Sequence, residues 1–357
     1  MGKSVFATEK RLMENGTTEM MLEDYINYAN LSYIDNDADF QSSPLWKVAV
    51  VLYCFTLVLG LPGNAFVLWI AGLKMKRTVN TTWFLNLAIA DFLCCLSVPF
   101  SITDIILDYQ WPYGNFLCKV IPTVVVLNMF ASVFILTLIS VDRFLQVIRP
   151  VWSQNHRTIT LAFWLCVSSW VMAVALSLPS VIYKQAVFHD LLNKTVCTYN
   201  FSGSDHSPLI SLLRFVFGFL IPIFIIILCY SFILHKVNSS HFSKSQKPLK
   251  IILGVIMAFF VCWSPYHIIG LVLGYGEEMS MSVSLALYID PLSVSMAYFN
   301  SCLNPLLYVF MGQDFKEKVK LSLRRVLENA FSEAATHSGV HSQGEHSRAT
   351  NTSEAQV

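Results

Sequence analysis

Three charged residues end long uncharged stretches of this sequence, at positions from which they could bind an ionic ligand. Lys184 and Arg214 are cations and Asp290 is an anion. Arg214 can form a forked contact with a carboxylate, and Asp290 can receive a guanidinium in the same way. If the three face one cavity, they suit a peptide that ends in arginine: its terminal carboxylate pairs with Arg214 and Lys184, and its guanidinium with Asp290. Lys184 and Asp290 could instead be ordinary interfacial charges.

Asp91 is the only acid inside an apolar stretch, and it predicts a second polar site. An ionisable group in such a setting is costly and usually functional. Polar residues of three other segments could surround it and hold a hydrated sodium ion, because a lone carboxylate with several neutral oxygens suits a hard cation. The residues of this predicted sodium site are Asp91, Asn128, Ser132, Asn300 and Ser301, with Asn64 and Asn304 nearby. The alternative is a hydrogen-bonded structural carboxyl.

Seven apolar stretches must position these side chains. Six runs between consecutive charges contain 21 to 26 residues without Asp, Glu, Lys or Arg, and a seventh, 78–103, is interrupted only by Asp91. A bilayer core requires roughly 20 such residues per helix. The chain is 55% hydrophobic and 13% charged, against about 25% charged residues in soluble domains. The pattern predicts an all-α membrane protein, with transmembrane helices near 46–73, 82–107, 115–148, 157–181, 207–236, 248–274 and 284–309.

The distribution of charge predicts how this seven-transmembrane bundle (46–309) is oriented. With the N-terminus outside, the four cytoplasmic stretches hold 15 Lys or Arg and the outer side holds eight, as the positive-inside rule requires. Residues 1–45 are then an acidic extracellular segment. Residues 310–327 interleave apolar and basic side chains, which predicts a short amphipathic helix 8 on anionic lipid. Residues 328–357 form a cytoplasmic tail rich in Ser and Thr.

Several residues are candidates for covalent modification. Asn-X-Ser/Thr acceptors on the outer side predict glycosylation at Asn15, Asn30, Asn193 and Asn200. The tail predicts phosphorylation at Ser332, Thr336, Ser338 and Ser342, which would recruit a regulator by added charge; a plain solvated tail is the alternative.

The cysteines and histidines do not indicate an enzyme or a metal centre. Seven of the nine cysteines fall inside apolar helices and are expected to pack as small hydrophobic residues. Cys118 and Cys197 remain on the outer face, where a disulfide would tie the 184–207 loop over the bundle. The histidines lack metal-ligand spacing, and no nucleophile lies beside a base. We therefore predict no catalytic residues, no cofactor apart from the sodium ion, and no nucleic-acid partner.

Ordered markers in the seven helices resemble the rhodopsin-like G-protein-coupled receptors. They cover about residues 45–326 and are, in chain order, Gly63-Asn64, Leu85–Asp91, Asp142-Arg143-Phe144, Trp170, Pro222 with Tyr230, Cys262–Tyr266 and Asn304–Tyr308. Longer runs, among them Val67–Met75, Gln110–Gly114 and Val126–Phe134, narrow the resemblance to the chemoattractant branch and its anaphylatoxin receptors, most closely those for complement component 3a. Those receptors usually have a far longer second extracellular loop than residues 184–207.

The resemblance implies roles for the inner half of the bundle. Arg143 would be restrained by Asp142 and released toward a heterotrimeric G protein, expected to be of the inhibitory type. Pro265 and Pro305 would be hinges, with Asn304 and Tyr308 in the second hinge. Trp263 would lie beneath the ligand cavity and repack on activation, with Tyr266 at the cavity floor. No acid begins the sixth helix to hold Arg143, so the inactive state is expected to be weakly restrained.

The expected function is therefore a plasma-membrane receptor for an anaphylatoxin ending in arginine, active in chemotaxis and inflammation. In the family, the positions of Lys184, Arg214 and Asp290 match those that bind the terminal arginine. Arrestin, receptor kinases and membrane lipid are the further partners implied. The alternatives are a receptor for component 5a, chemerin or formyl peptides, and a scavenger that binds ligand without signalling. A transporter is disfavoured because inverted repeats are missing.

Overall fold

The computed structural model describes residues 44–190, 193–200, 207–239, 247–277 and 280–311. The predicted amphipathic helix at 310–327, the tail phosphorylation sites, and Asn15 and Asn30 lie outside the described residues.

Seven helices in this part of the chain are long and apolar enough to cross a membrane, which confirms the predicted bundle. The first, α1, combines α-helical Pro44–Phe55 and Leu61–Trp69 with π-helical Thr56–Gly60 and Ile70–Lys74. The fifth transmembrane helix, labelled α6, likewise contains a π-helical turn, Val216–Leu220, between Ser207–Phe215 and Ile221–Ser239. The others are α2 Val79–Ile106, α3 Gly114–Ile148, the short α4 Pro150–His156, α5 Ile159–Tyr183, α7 Lys247–Tyr275 and α8 Met281–Met311, the seventh transmembrane helix.

Local sequence signals explain where two of these helices begin. Thr78 has an extended backbone, and its Oγ accepts a hydrogen bond from the Thr81 N–H at 3.2 Å while Thr81 Oγ accepts from the Thr78 N–H at 2.7 Å. This reciprocal cap satisfies two backbone donors at the start of α2. Thr158 Oγ caps α5 by accepting from the Leu161 N–H at 3.2 Å. Both helices therefore begin next to the loops that carry the basic residues.

The central element is α3, and the outer helices face lipid. In the apolar membrane-spanning part of α3, 67% of the residues are buried inside the protein, whereas the corresponding share is 22% in α1, α5 and α6. Large apolar side chains on the outer helices, such as Val58, Trp164 and Phe224, are exposed. In a bilayer these side chains contact acyl chains, so the buried polar residues must face inward.

A β-hairpin, which the sequence did not predict, follows α5. Strands β1 Lys184–His189 and β2 Lys194–Tyr199 pair antiparallel, with Lys184 opposite Tyr199. A disulfide joins Cys197 of β2 to Cys118 of α3, as predicted. The Trp111 N–H also donates to the Thr195 carbonyl at 2.7 Å. The hairpin is therefore fixed across one end of the bundle, called the hairpin end below.

Gly60 provides a test of the close packing between α1 and its neighbours. A Cβ at this position would lie 2.7 Å from the Cys95 Sγ and 3.2 Å from the Cys302 Cβ, whereas a Cβ at Gly72 would lie 3.7 Å from its nearest neighbour, Leu85. Overpacking of a filled core costs about 1–3 kcal/mol. We expect Gly60→Ala to lower the melting temperature of the detergent-solubilised protein.

The matched control is Gly72→Ala, because both glycines end or occupy π-helical turns of α1 and gain the same side chain. We expect Gly72→Ala to leave the melting temperature nearly unchanged. Equal melting temperatures for the two variants would contradict the packing argument.

Candidate functional site

A cavity of about 880 Å³ opens at the hairpin end of the bundle. Its wall includes residues of α2, α3, both hairpin strands, α6, α7 and α8. The predicted ligand residues Lys184, Arg214, Tyr266 and Asp290 all line it. A cavity of this volume is in the range of sites that enclose a drug-sized ligand, roughly 300–1,000 Å³. The structure thus brings together side chains that are up to 106 positions apart in the sequence.

Arg214 is held in this cavity by neutral oxygens from three elements. Its Nη2 donates to Ser180 Oγ and to the Tyr199 hydroxyl, each at 2.8 Å, and its Nη1 donates to the Tyr266 hydroxyl at 3.3 Å. Its Nε is buried and has no hydrogen-bond partner among the described residues. None of the ion pairs between described residues includes Arg214. The guanidinium is therefore positioned, but its charge is not neutralised by a carboxylate.

Arg214 lies close to the point where α6 leaves regular α-helical geometry. Arg214 lies one residue before Phe215, after which the π-helical turn Val216–Leu220 begins. Such turns are frequently found at functional sites. The neighbouring Leu212 and Leu213 are exposed on the outer surface. In this part of α6, Arg214 thus lines the cavity while the apolar side chains beside it face outward.

Tyr199 connects Arg214 with Lys184. The Lys184 Nζ lies 4.5 Å from the centre of the Tyr199 ring and donates to the Cys197 carbonyl at 3.3 Å. The Arg214 Cζ lies 5.6 Å from the same ring. Burial raises the pKa of the Tyr199 phenol, but the positive charges of Arg214 and Lys184 outweigh it, so that the pKa is lowered from its usual value. Two cations therefore share one aromatic partner on this side of the cavity.

Two carboxylates line the cavity from other helices. Asp290 of α8, which was predicted, accepts a hydrogen bond at Oδ1 from Ser293 Oγ at 3.1 Å. Asp104 of α2 was not predicted, although it directly follows the uncharged end of the 78–103 stretch. The same signal that singled out Asp290, an acid at the end of an apolar helix, would have found it. Ser180 and Tyr199 were also missed, because nothing in their spacing distinguishes them.

The two predicted aromatic residues lie at different depths. Tyr266 lines the cavity, and its ring centroid is 5.5 Å from that of Trp263. Trp263 is fully buried beneath it and packs against Phe259 at 5.9 Å. A displacement of Tyr266 can thus reach Trp263 through direct ring contact. Pro265 stands between them within α7.

Deeper in the bundle, the residues of the predicted sodium site lie together. Asp91 Oδ2 accepts from Asn304 Nδ2 at 2.7 Å, and Asn128 Nδ2 donates to Ser301 Oγ at 3.0 Å. Ser132 Oγ donates to Asn128 Oδ1 at 3.0 Å. The buried atoms without a hydrogen-bond partner among the described residues include Asp91 Oδ1, Asn304 Oδ1, Asn64 Oδ1 and both polar atoms of the Asn300 side chain. Buried polar atoms normally have partners, so this cluster has free donor and acceptor capacity.

At the opposite end, Arg143 has a partner that the sequence did not identify. The Arg143 Nη2 donates to Asn80 Oδ1 at 2.5 Å, whereas its distance to Asp142 Oδ2 is 3.8 Å. Asp142 forms its close, forked ion pair with Arg157, at 2.7 and 3.1 Å. Arg157 Nη2 also donates to Asn80 Oδ1, at 2.6 Å. The expected contact between Asp142 and Arg143 is therefore a long one, and Asn80 receives both arginines.

The remaining predicted residues are placed as follows. Asn193 lies in the hairpin turn with a φ of 49°, and Asn200 follows β2; both are exposed. Pro305 lies within α8 close to Gly63 of α1. The backbone of Tyr308 is helical, and its side chain lies outside the described set.

The comparisons with known proteins agree on one family. Residues 63–308 match the model of the seven-transmembrane receptors of the rhodopsin family. A C3a anaphylatoxin chemotactic receptor of Oncorhynchus mykiss is 57% identical over 322 residues, 88% of each chain. A receptor of the same name from Danio rerio is 56% identical and covers 83% of this chain and 81% of its own. A chemerin-like receptor 1 of Homo sapiens is 42% identical, with 89% and 92% covered.

The family model spans most of the chain, including the cavity, the Asp91 cluster and Arg143. The alignment with the Oncorhynchus mykiss receptor covers equal shares of both chains, which leaves no long insertion between them. This chain belongs to the rhodopsin family of seven-transmembrane receptors.

Proposed function

We propose that this protein is a receptor for the complement component 3a anaphylatoxin, which binds the ligand's C-terminal arginine and signals through heterotrimeric G proteins. The family consists of receptors and not of enzymes, and the chain is a multi-pass membrane protein. Two relatives at 56–57% identity carry the component 3a name. The observation on which the proposal depends is the cavity-lining guanidinium of Arg214, which is bound only by neutral oxygens among the described residues.

The charges of the cavity suit both ends of an arginine residue. A terminal carboxylate would bind to the Arg214 guanidinium, with Lys184 adding positive charge beside Tyr199. Charge-assisted bonds of this kind are about twice as strong as neutral ones. The ligand's guanidinium would pair with Asp290, which lies on α8. A ligand without its terminal arginine loses both contacts.

The segments outside the bundle support capture of a basic ligand at the cell surface. Residues 1–45 contain eight acidic and three basic residues, and an acidic segment raises the association rate of a cationic partner. We place the N-terminus outside the plasma membrane, with glycans on Asn15, Asn30, Asn193 and Asn200. The tail would be phosphorylated and would recruit arrestin.

Signalling is proposed to start at the cavity floor and end at Arg143. Ligand contact with Tyr266 would shift Trp263, and α7 would move about Pro265. At the far end, Arg143 would leave Asn80 and engage the G protein, which we expect to be of the inhibitory type. A bundle with two packed arrangements requires such a contact to be broken. The intact Arg143 and Asn304-Pro305 favour signalling over a scavenging role.

A receptor for chemerin is the second candidate, because the human chemerin-like receptor 1 is 42% identical to this chain. The two candidates differ in whether the terminal arginine is required. A receptor for component 5a is a further alternative, which direct comparison of the two anaphylatoxins would separate from the first candidate.

The first test replaces Arg214 with Ala and measures G-protein activation by component 3a in cells, at matched surface expression. Truncating one member of a buried charge pair costs 2–5 kcal/mol or more, so we expect a loss of potency of at least about 30-fold. Lys47→Ala, which removes an exposed cation on α1, should leave the potency unchanged.

A component 3a variant with an amidated C-terminus completes a double-mutant cycle. Because the amide lacks the carboxylate, Arg214→Ala should cost this ligand much less than it costs the intact one. The des-arginine ligand should be inactive on both receptors. An equal loss for the acid and the amide would refute the proposed pairing.

The second test concerns basal signalling. Asn80→Ala removes the shared acceptor of Arg143 and Arg157, and hydrogen bonds to charged groups contribute about 1.5–3 kcal/mol. We expect basal nucleotide exchange on the G protein to rise severalfold. Asn80→Asp, which replaces a neutral acceptor with an anion, should lower it. The control is Asn155→Ala, an exposed asparagine of α4 at the same end; a rise of equal size there would argue against the assigned role of Asn80.

The third test concerns the Asp91 cluster, for which we propose a bound sodium ion. Asp91, Asn128, Ser132, Asn300 and Ser301 would hold it, and the unpartnered Asp91 Oδ1 and Asn300 side chain support this assignment. A ligand that binds only the folded state stabilises it. Replacing N-methylglucamine chloride with NaCl at constant ionic strength should raise the melting temperature by a few degrees, and Asp91→Asn should abolish the difference. A sodium effect that persists in Asp91→Asn would exclude this site.

A further inference from the structure

The cations that line the cavity lie on one side, and two of its carboxylates lie on the other. Arg214, Lys184 and Lys194 belong to α6 and the two hairpin strands, where Asp190 follows β1, while Asp290 and Asp104 belong to α8 and α2. One cation and one carboxylate are sufficient to bind a terminal arginine. A second carboxylate on the anionic side is therefore surplus to the recognition described above.

The contacts of Asp104 within the protein also leave it free to bind a ligand. Its Oδ1 is buried and has no hydrogen-bond partner among the described residues, and none of their ion pairs includes it. The two lysines that line the cavity lie close enough to act on Asp104 electrostatically, but their hydrogen bonds go to other groups. Lys194 Nζ contacts the carbonyl oxygen of Asp108 at 2.9 Å and its carboxylate at 3.3 Å, and Lys184 Nζ donates to the Cys197 carbonyl. The buried Oδ1 therefore keeps the capacity to accept a hydrogen bond from a ligand.

The surroundings of Asp104 hold it in place on the cavity wall. One turn deeper in α2, Ser101 Oγ and the Tyr298 hydroxyl are 2.8 Å apart, which joins α2 to α8. Tyr298 packs edge-to-face on Tyr53 of α1 at 5.3 Å. At the next residues, Asp108 and Tyr109 have positive φ values of 56° and 57°, and the Tyr109 N–H donates to the Asp104 carbonyl at 2.7 Å. The helix ends immediately beyond Asp104, so its carboxylate is at the level where a peptide enters.

We propose that Asp104 is a specificity-determining residue, which binds a second basic side chain of the peptide ligand, upstream of its terminal arginine. The inference rests on the proposed function, because it assumes that the terminal arginine occupies Arg214 and Asp290. A peptide so anchored extends from the cavity floor toward the hairpin end. Its upstream residues then pass the outer end of α2, where Asp104 lies.

The experiment uses the full-length receptor and a series of synthetic peptides that all end in arginine. Within the series, each of the seven preceding positions carries Lys in one peptide and norleucine in its matched partner. Norleucine keeps the length of the lysine side chain and removes its charge. We expect the wild-type receptor to prefer Lys over norleucine by about tenfold at one or two positions.

Asp104→Asn should abolish this preference and leave the preference for a terminal arginine over a terminal citrulline intact. Asp290→Asn should have the reverse effect, with the citrulline discrimination lost and the upstream preference kept. The matched control is Glu277→Gln, which removes an exposed acid just beyond the end of α7 at the hairpin end and should keep both preferences. A charge exchange, Asp104→Lys, should favour a Glu-containing peptide at the same position.

The experiment distinguishes failure of the proposed function from failure of the role assigned to Asp104. If the wild-type receptor does not require a terminal arginine, the proposed function fails. If it requires the arginine but shows no upstream preference, the role of Asp104 is refuted while the proposed function stands. If Asp104→Asn weakens Lys and norleucine peptides equally, Asp104 is structural, and the inference is overturned.

Discussion

A guanidinium in an apolar helix must find polar partners within the protein, and that requirement organises the hairpin end of this receptor. Arg214 obtains them from α5, from β2 and from α7, through Ser180, Tyr199 and Tyr266. Because all three are neutral, the positive charge remains available to a ligand. The residues that solvate Arg214 also fix the width of the cavity, since each belongs to a different element. Under the proposed function, the side chains that pack this end of the bundle would also position the group that recognises the ligand.

The hairpin explains how an aqueous loop can take part in this arrangement. The Cys118–Cys197 bond fixes β2 to α3, and the pairing of Lys184 with Tyr199 places both residues over the cavity. If the loop were free in solution, nothing would hold the Tyr199 hydroxyl within hydrogen-bonding distance of Arg214. A covalent tie and a short antiparallel ladder restrict its positions, so that the loop contributes to the cavity wall.

The two ends of the bundle use arginine in opposite ways. Arg214 is surrounded by neutral oxygens, so its charge can still pair with an anion. Arg143 and Arg157, in contrast, share the Asn80 amide oxygen. Asp142 neutralises Arg157 at close range. An amide holds Arg143 less tightly than a carboxylate would. A contact of this kind can be broken by a modest conformational free energy, as a switch between two packings requires. Asn80 of α2 thus partly takes the place of the acid that the start of the sixth transmembrane helix lacks as a partner for Arg143.

The sequence by itself determined the seven helices, the disulfide and the composition of the polar sites, because a bilayer tolerates few charges and each one in an apolar run is informative. It also identified Lys184, Arg214 and Asp290, which end such runs. The tertiary structure decided which side chains meet: Ser180 and Arg214 are 34 residues apart, and Asn80 and Arg143 are 63 apart. Such contacts depend on the rotation and tilt of whole helices and on the pairing of the hairpin strands. Hydrophobic patterning places a residue in a helix, but the partners of Tyr199 and Asn80, and the position of Asp104 on the cavity wall, follow only from how the helices and the hairpin pack.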